Sequence, residues 1–181
     1  MDIRKDYLAP NEWSRPRRLI KEHRAIVVHW FMNPGQLASS VVNYWNARQD
    51  GEHGFGSAHF AIDDKEIVGA VPTDEVAYHV GADHYSEFTE SWLEGNPNFY
   101  CIGVELSHTD MTGRPTMDVW NTAVGLVAEL CAQYDIPISM IVTHFDVTGM
   151  RPHWNGIPCH PWFVRQAGEM ARFRAEVKER I

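Results

Sequence analysis

Basic residues, cysteines and long apolar runs are all scarce in this sequence, and each shortage argues against a class of protein. The 24 acidic side chains outnumber the 16 basic ones and give a formal net charge of −8, so the chain lacks the positive surface that nucleic-acid binding requires. No apolar run approaches the length that spans a bilayer, so we expect no membrane insertion. Three cysteines cannot all pair with one another, which argues against a disulfide framework and favours a reducing compartment or a metal site.

The beginning of the chain lacks the apolar segment of a secretory signal peptide. We therefore expect the protein to be made and folded in the cytoplasm and, if it acts elsewhere, to be released by another agent. With 181 residues, of which 44% are hydrophobic and 22% are charged, the chain has the size and composition of one globular domain. We expect this domain to span residues 1–181, with an extended lead-in over 1–24 and a C-terminal helix over 164–181.

Short apolar segments alternate with helical patterns along the chain. Apolar or β-branched runs predict strands at residues 25–30, 58–62, 66–71, 100–106 and 139–144. Helical spacing of apolar residues predicts helices at 36–48 and 116–134. A short polar turn joins the second and third strands, which predicts a hairpin. Interleaved strands and helices with one hairpin predict a single-domain α/β fold, in which helices flank a central mixed β-sheet.

The ten histidines are the most unusual feature of the composition. His29 and His144 each lie at or near the end of a predicted buried strand, and Cys159 follows fifteen residues after His144. Two imidazoles and one thiolate form a known zinc ligand set whose fourth position is left to water, and zinc makes that water a nucleophile. The spacing matches no compact zinc motif, so two core histidines and a buried cysteine are the alternative interpretation.

A carboxylate inside an apolar segment is a second candidate for chemistry. Glu105 lies within the predicted strand 100–106, where a carboxylate must pair, face solvent or serve in general acid–base catalysis. His79 precedes a long polar loop and is either a substrate contact or a surface histidine in a turn. His59 lies in a predicted strand, which favours a structural role. Other histidines are expected to be solvated and the other cysteines to lie in the core: His23, His53, His84 and His108, and Cys101 and Cys131.

A set of short segments gives a more specific indication because of their order along the chain. They are Ile26–Trp30, Asn33–Gly35, Ser57–Phe60, Asp63–Ile67, Glu75–Gly81, Ile102–Glu105 and Thr143–Gly149. In this order they resemble the zinc-dependent N-acetylmuramoyl-L-alanine amidases of the type 2 amidase family, which share a fold with T7 lysozyme and the peptidoglycan-recognition proteins. The resemblance runs from about Leu8 to Phe163, and the nearest likeness is to amidase domains of endolysins from Bacillus phages and prophages.

This resemblance implies a zinc-dependent peptidoglycan hydrolase. Zn²⁺ would be held by His29, His144 and Cys159, and Glu105 would be the catalytic carboxylate. The reaction would be hydrolysis of the amide between N-acetylmuramic acid and the L-alanine of the stem peptide, by an endolysin that reaches the cell wall after a holin opens the membrane. Relatives with the T7 pattern carry a tyrosine where this chain has Ala58, and its role would fall to Glu105, as in the Bacillus-phage branch.

Two rival functions accompany this interpretation. The first is a non-catalytic peptidoglycan-binding module, since some members of the fold lose a zinc ligand, but the presence of all three ligands and Glu105 argues against it. The second is a cytoplasmic amidase that recycles muropeptides, against which the Bacillus-phage-like segments favour a lysin. Many relatives carry a C-terminal wall-binding domain, for which the residues after Phe163 leave no room. We therefore expect a lone catalytic domain or a truncated chain, acting as a monomer.

The sequence departs from the family pattern around the third ligand. Relatives usually have a lysine two residues before the cysteine, where this chain has Ile157. Arg151 or His153, both in an enlarged loop, is expected to supply the missing donor to the developing oxyanion. His160 could compete for the metal, but Cys159 matches the family position.

Other residues near these motifs are expected to serve the site less directly. Asp146 either braces the metal site from outside or caps the turn that follows it. His79 and the loop 82–98 are expected to line the groove for the stem peptide. Three aromatic residues are candidates for sugar or peptide contacts, with a core position as the alternative for each: Trp30, Tyr78 and Trp92.

Overall fold

One mixed sheet of six strands organises the computed structural model, which describes residues 1–92, 95–149 and 156–181. The strands are β1 (Arg4–Lys5), β2 (Ala25–Trp30), β3 (Phe60–Ile62), β4 (Ile67–Gly69), β5 (Cys101–Leu106) and β6 (Ile141–Thr143). Their order across the sheet is β1-β4-β3-β5-β2-β6. The pair β3–β4 is antiparallel, as a hairpin requires, and the other neighbouring pairs are parallel.

Helices cover the sheet on both faces. Their bounds are α1 (Ala38–Asn46), α2 (Glu87–Trp92), α3 (Met117–Tyr134), α4 (His144–Val147), α5 (Pro161–Arg165) and α6 (Glu169–Lys178). The long helix α3 begins after Thr116, whose side chain accepts a hydrogen bond from Val119 N, and it ends at Asp135, which has a left-handed φ of 53°. Within the described ranges, none of these helices combines the length and apolar character that crossing a membrane requires.

The two neighbouring inner strands β2 and β5 are apolar along almost their whole length because both faces of the sheet are covered. All six residues of β2 are buried, as are five of the six residues of β5. Alternate residues of β2 belong to different clusters: Ile26 and Val28 pack in the cluster that contains α3 and α6, whereas Val27 packs in another. His29 continues the second series, so its side chain projects from the face opposite α3.

The single-domain α/β architecture with its mixed sheet and its hairpin is confirmed, but several local details differ from expectation. The lead-in 1–24 contains β1, which pairs with β4. The last predicted strand begins only at Ile141, because a short 3₁₀ turn occupies Ile138–Met140. Residues 164–181 do not form one helix. Instead α5 and α6 are separated at Gly168, which has a φ of 87° that favours glycine.

Candidate metal centre and its groove

The first part of the site is carried by the ends of two neighbouring inner strands, β2 and β5. His29 of β2 pairs in register with Glu105 of β5, and residues opposite each other on neighbouring strands project to the same face. His29 is only 2% exposed, whereas Glu105 keeps partial contact with solvent. Both side chains line a cavity of about 780 Å³. The strand register alone therefore places an imidazole beside a carboxylate in a groove.

His144 enters the site at the start of α4, directly after β6 ends. Thr143 and Asp146 form a capping box there: Thr143 Oγ1 accepts a bond of 3.2 Å from Asp146 N, and Asp146 Oδ2 accepts one of 2.8 Å from Thr143 N. The His144 side chain is buried, with its ring centroid 5.1 Å from that of His29. Asp146 was expected either to brace the metal site or to cap the turn that follows it; the structure instead shows its carboxylate bonded to the backbone of Thr143, at the start of the helix that carries His144.

Cys159 reaches the site from a segment outside the helices and strands. Its Sγ lies 3.5 Å from His29 Nδ1, and its carbonyl oxygen accepts a hydrogen bond of 2.7 Å from Phe145 N. That backbone bond ties the segment to the residue that follows His144. One ligand atom from each of His29, His144 and Cys159 lies within 4.8 Å of the others, and all three residues are buried. The structure thus brings together the three ligands that the sequence suggested.

The donor set and its spacing fit a zinc ion. Zinc at ordinary bond lengths separates its ligand atoms by about 3–4 Å, and the pair formed by Cys159 Sγ and His29 Nδ1 already has that separation. Two imidazole nitrogens and one thiolate are also the soft and borderline donors that zinc prefers. The cluster is therefore a candidate metal centre on the chemistry of its own residues.

Burial controls the ionisation of the two acidic groups in the site. It raises the pKa of the Cys159 thiol well above its usual range, and the neighbouring Glu105 carboxylate raises it further. Burial also raises the pKa of Glu105 to about 8. A thiol coordinates metal only as the thiolate, so metal binding at Cys159 must release a proton.

His79 also lines the groove and contacts His29. It is 8% exposed, with Nδ1 3.0 Å from His29 Nε2 and Nε2 3.2 Å from the carbonyl oxygen of Cys101. Burial lowers the pKa of His79 well below its usual range, so the ring is neutral. Both ring nitrogens of this expected substrate contact are therefore engaged by the protein itself.

Aromatic side chains form one wall of the groove. The Tyr78 ring lies 5.0 Å from the Phe55 ring, which in turn lies 4.8 Å from Trp13. Phe55 is 61% exposed although it is held on these two sides. Tyr44 and Arg48 extend the wall, with the Arg48 guanidinium 4.7 Å from the Tyr44 ring centroid. An exposed and supported aromatic wall is a surface on which a sugar ring or peptide can lie.

Sequence reasoning missed most of this wall. Tyr78 was a candidate, but Phe55, Tyr44 and Arg48 were not. The sequence does hold one signal for Phe55. It is an aromatic residue between two glycines in a turn, outside any predicted helix or strand that would bury it. Arg48 supports that turn by donating to its carbonyl oxygens, including a bond of 3.1 Å to Gly54 O.

The other aromatic candidates lie in different settings. Trp30 lines the groove but is only 7% exposed, and its ring packs 4.7 Å from that of His108. His108 was expected to be solvated, and that expectation is wrong: the residue is buried, with both ring nitrogens against backbone carbonyl oxygens. Trp92 is absent from the described lining of the groove and packs against the cluster that contains Val27.

Three more residues near Cys159 were candidates for the site. Arg151 and His153 lie outside the described residues. His160 is fully buried, and its ring packs 4.6 Å from that of Phe163. Among the described residues it does not belong to the metal-binding group, whereas Cys159 does.

Comparison with known proteins gives one family and several relatives. The family model described as N-acetylmuramoyl-L-alanine amidase matches residues 20–157. The chain is 33% identical over 172 residues to a probable N-acetylmuramoyl-L-alanine amidase of Bacillus licheniformis, covering 95% of this chain and 46% of the relative. It is 31% identical over 174 residues to the amidase CwlL of the same species, with 96% and 46% covered. The chain therefore spans about half the length of these curated relatives.

A solved structure extends the likeness to the whole fold. The structure of PlyL superposes with a TM-score of 0.74 and 26% sequence identity, covering 100% of this chain and 99% of that chain. The matched family region contains His29, Glu105 and His144 and ends two residues before Cys159. The third candidate ligand thus rests on the structural cluster rather than on the family match.

Proposed function

The chain belongs to the family of N-acetylmuramoyl-L-alanine amidases, and on this basis we propose that it hydrolyses the amide between N-acetylmuramic acid and the L-alanine of the stem peptide in peptidoglycan. One observation carries the proposal: His29, His144 and Cys159 meet beside Glu105 in a single groove. A group of metal donors next to a carboxylate in a cavity is the arrangement that metal-assisted hydrolysis requires.

The metal in this proposal is zinc, held by His29, His144 and Cys159. When bound, zinc supplies a Lewis acid that activates water and polarises the carbonyl of the scissile amide. The chain's contribution is to hold the three donors with little freedom. His29 is fixed in the sheet ladder, His144 by the capped start of α4, and Cys159 by the bond between its carbonyl oxygen and Phe145 N.

Glu105 would move the proton. Its carboxylate accepts a proton from the attacking water and later gives one to the nitrogen of the leaving L-alanine, as general acid–base catalysis requires. Burial raises the pKa of Glu105 to about 8 in the metal-free protein. A zinc ion bound beside it would favour the ionised carboxylate, which is the form that accepts the proton. Its position opposite His29 on the neighbouring strand keeps it at the ligand cluster.

We keep Arg151 and His153, which lie outside the described residues, as candidates for the oxyanion donor. If either one serves, Arg151→Ala or His153→Ala lowers kcat by about 10²–10³-fold, which is the usual cost of losing one oxyanion donor. Unchanged kcat in both variants would remove both residues from the mechanism.

Incubation with purified peptidoglycan tests the proposed reaction. We expect the wild-type protein to release new N-terminal alanine groups, a chelator to stop the release, and added zinc to restore it. Glu105→Gln keeps the side-chain shape, so we expect it to bind zinc and to release alanine far more slowly than wild type. Zinc-replete wild-type protein that sediments with the wall but releases nothing would instead support a binding module.

We propose further that the substrate is the assembled wall, as for an endolysin that reaches it once the membrane has been opened. The supported aromatic wall of the groove favours this role, because Phe55 and Tyr44 lie exposed where an extended polymer can rest on them. Turbidity loss of purified walls should therefore accompany cleavage. Activity on soluble muropeptides alone, with intact walls untouched, would support a recycling enzyme.

A further inference from the structure

We infer that His79 is a positioning residue that sets the tautomer of His29 and so directs the lone pair of His29 Nδ1 toward the metal cluster. The inference rests on the proposed metal site, but it follows from a chain of hydrogen bonds within the protein. That chain runs from the carbonyl oxygen of Cys101 through both ring nitrogens of His79 to His29 Nε2.

The backbone carbonyl at one end of this chain fixes every proton along it. Cys101 O can only accept, so its 3.2 Å contact places a hydrogen on His79 Nε2. A neutral imidazole carries one N–H, so His79 Nδ1 is an acceptor. Its 3.0 Å contact with His29 Nε2 then places the hydrogen of His29 on Nε2. The lone pair of His29 is consequently on Nδ1, the nitrogen 3.5 Å from Cys159 Sγ.

Packing leaves the His79 ring little freedom to break this chain. A Cβ atom added at Gly103 would lie 2.6 Å from His79 Cγ, so the ring occupies the space that any side chain at that position would need. The backbone is held as well, since His79 N and Val80 N each donate a 3.0 Å bond to Asn98 Oδ1. Asn98 is itself buried. His79 therefore presents Nδ1 to His29 as a fixed acceptor.

His59 provides a matched comparison, because its ring is buried next to that of His79. It is fully buried, accepts a 2.9 Å bond at Nδ1 from Gly103 N, and contacts Glu75 O with Nε2 at 2.9 Å. Its ring centroid lies 5.7 Å from that of His79. Both of its ring nitrogens are thus bonded to backbone atoms, and neither bond leads to the ligand cluster. Substitution of His59 therefore perturbs the packing around His79 without removing the acceptor for His29.

Imidazole ¹⁵N spectra of the metal-free protein test the tautomers directly. Two-bond correlations distinguish the Nε2–H from the Nδ1–H form of each ring. We expect His29 and His79 both to be Nε2–H, and His29 in the His79→Gln variant to lose its uniform tautomer. A wild-type His29 that carries its proton on Nδ1 would overturn the inference. This outcome does not depend on whether the protein hydrolyses peptidoglycan.

Zinc affinity, measured by competition with a fluorescent chelator, tests the consequence for the metal site. His79→Asn keeps an amide oxygen near the Nδ1 position and should bind zinc almost as tightly as wild type. His79→Gln places its amide near the Nε2 position and offers His29 no acceptor, so we expect about 10–100-fold weaker binding, typical of losing such a partner. Equal affinities in these two variants, or an equal loss in His59→Gln, would contradict the positioning role.

Failure of the inference and failure of the proposed function give different results. If the wild-type protein binds no zinc, the proposed reaction fails, whereas the ¹⁵N spectra still decide the tautomer of His29. If zinc binds and alanine is released but the His79→Asn and His79→Gln proteins behave alike, the reaction stands and the role of His79 falls. Thermal unfolding of each metal-free variant shows whether an affinity change reflects the site or general loss of folding.

Discussion

Two parts of the candidate metal centre are built in different ways. The strand part consists of His29 and Glu105, which the parallel ladder of β2 and β5 places opposite each other within almost fully buried strands. The loop part is Cys159 with its neighbours in 156–160, which lies outside the helices and strands and is tied to α4 by the bond from Phe145 N to Cys159 O. A rigid element fixes a side chain through many shared bonds, whereas a loop depends on few. Changes in the strand part should therefore lower the stability of the fold, whereas changes in the loop part should mainly weaken metal binding.

The largest effect we predict lies in the strand part and concerns activity. Glu105→Gln removes the group that moves the proton, so kcat should fall by about 10²–10⁴-fold, the usual contribution of a general acid–base group. Zinc content should stay equal to wild type, because Glu105 is not among the three clustered donors. Alanine release and metal analysis on the same preparation provide the measurement. A kcat near wild type would move the proton-transfer role to another residue.

A pair of stability variants tests the comparison itself. Ile26 of β2 is fully buried in the main apolar cluster, so Ile26→Ala should lower the free energy of unfolding by about 2–5 kcal/mol. Ile157 lies two residues before Cys159 and is only half-buried, so Ile157→Ala should cost less than about 1 kcal/mol. Urea unfolding of the metal-free proteins measures both changes. Similar losses would show that the segment 156–160 is as integral to folding as β2.

The strand part was predictable from the sequence because its pattern is local. A β-branched run marks β2, and the place of His29 in it follows from counting residues. Glu105 stands out in the same way inside an apolar segment. The fold class followed from the alternation of such runs with helical patterns, and the hairpin from its polar turn. The pattern could not show that β2 and β5 are neighbours in the sheet, because α1, β3, β4 and α2 all lie between them along the chain.

The loop part and the groove wall were less predictable because their contacts join distant residues. Cys159 lies 130 positions from His29 along the chain, so its spacing left a metal ligand and a buried core cysteine as alternatives, and the family resemblance favoured the ligand. The burial of His108 depends on a contact with Phe31, 77 positions away. The position of the Phe55 ring depends on contacts with the rings of Trp13 and Tyr78. None of these contacts leaves a periodic signal in the sequence around either partner.

The lead-in offers a third kind of anchor, which tests how far side-chain pairing can replace a strand ladder. Arg15 donates two bonds to Glu75, of 2.9 and 2.8 Å, with side-chain exposures of 13% and 10%. The hydrogen bond from Arg15 lowers the pKa of Glu75. The stability that the Arg15–Glu75 pair adds is therefore fully present above pH about 4.3, the pKa of a glutamate in the unfolded chain. It is lost as the pH falls through the lower pKa that Glu75 has in the folded protein.

Unfolding curves at several pH values measure this anchor. At pH 7 we expect Glu75→Gln to lower the free energy of unfolding by about 1–3 kcal/mol, the range for hydrogen bonds that involve charged groups. The gap from wild type should narrow as the pH drops below the folded pKa of Glu75, because the wild-type carboxyl is then protonated too. A gap that stays constant through acid pH would show that the lost stability is packing rather than the ion pair.

The smallest predicted effect concerns the capping box of Thr143 and Asp146, at the start of the helix whose Phe145 N–H holds Cys159. Asp146→Ala removes the acceptor of Thr143 N and should cost about 1 kcal/mol of stability, as should Thr143→Ala. If Asp146 acts only through this cap, the two variants weaken zinc binding equally, and the double variant costs less than the sum, because each partner needs the other. A larger loss of zinc affinity in Asp146→Ala than in Thr143→Ala would mean that the carboxylate also braces the metal site directly. Because α4 carries both His144 and the backbone N–H that holds Cys159, this cycle tells whether the loop ligand depends on the start of one helix.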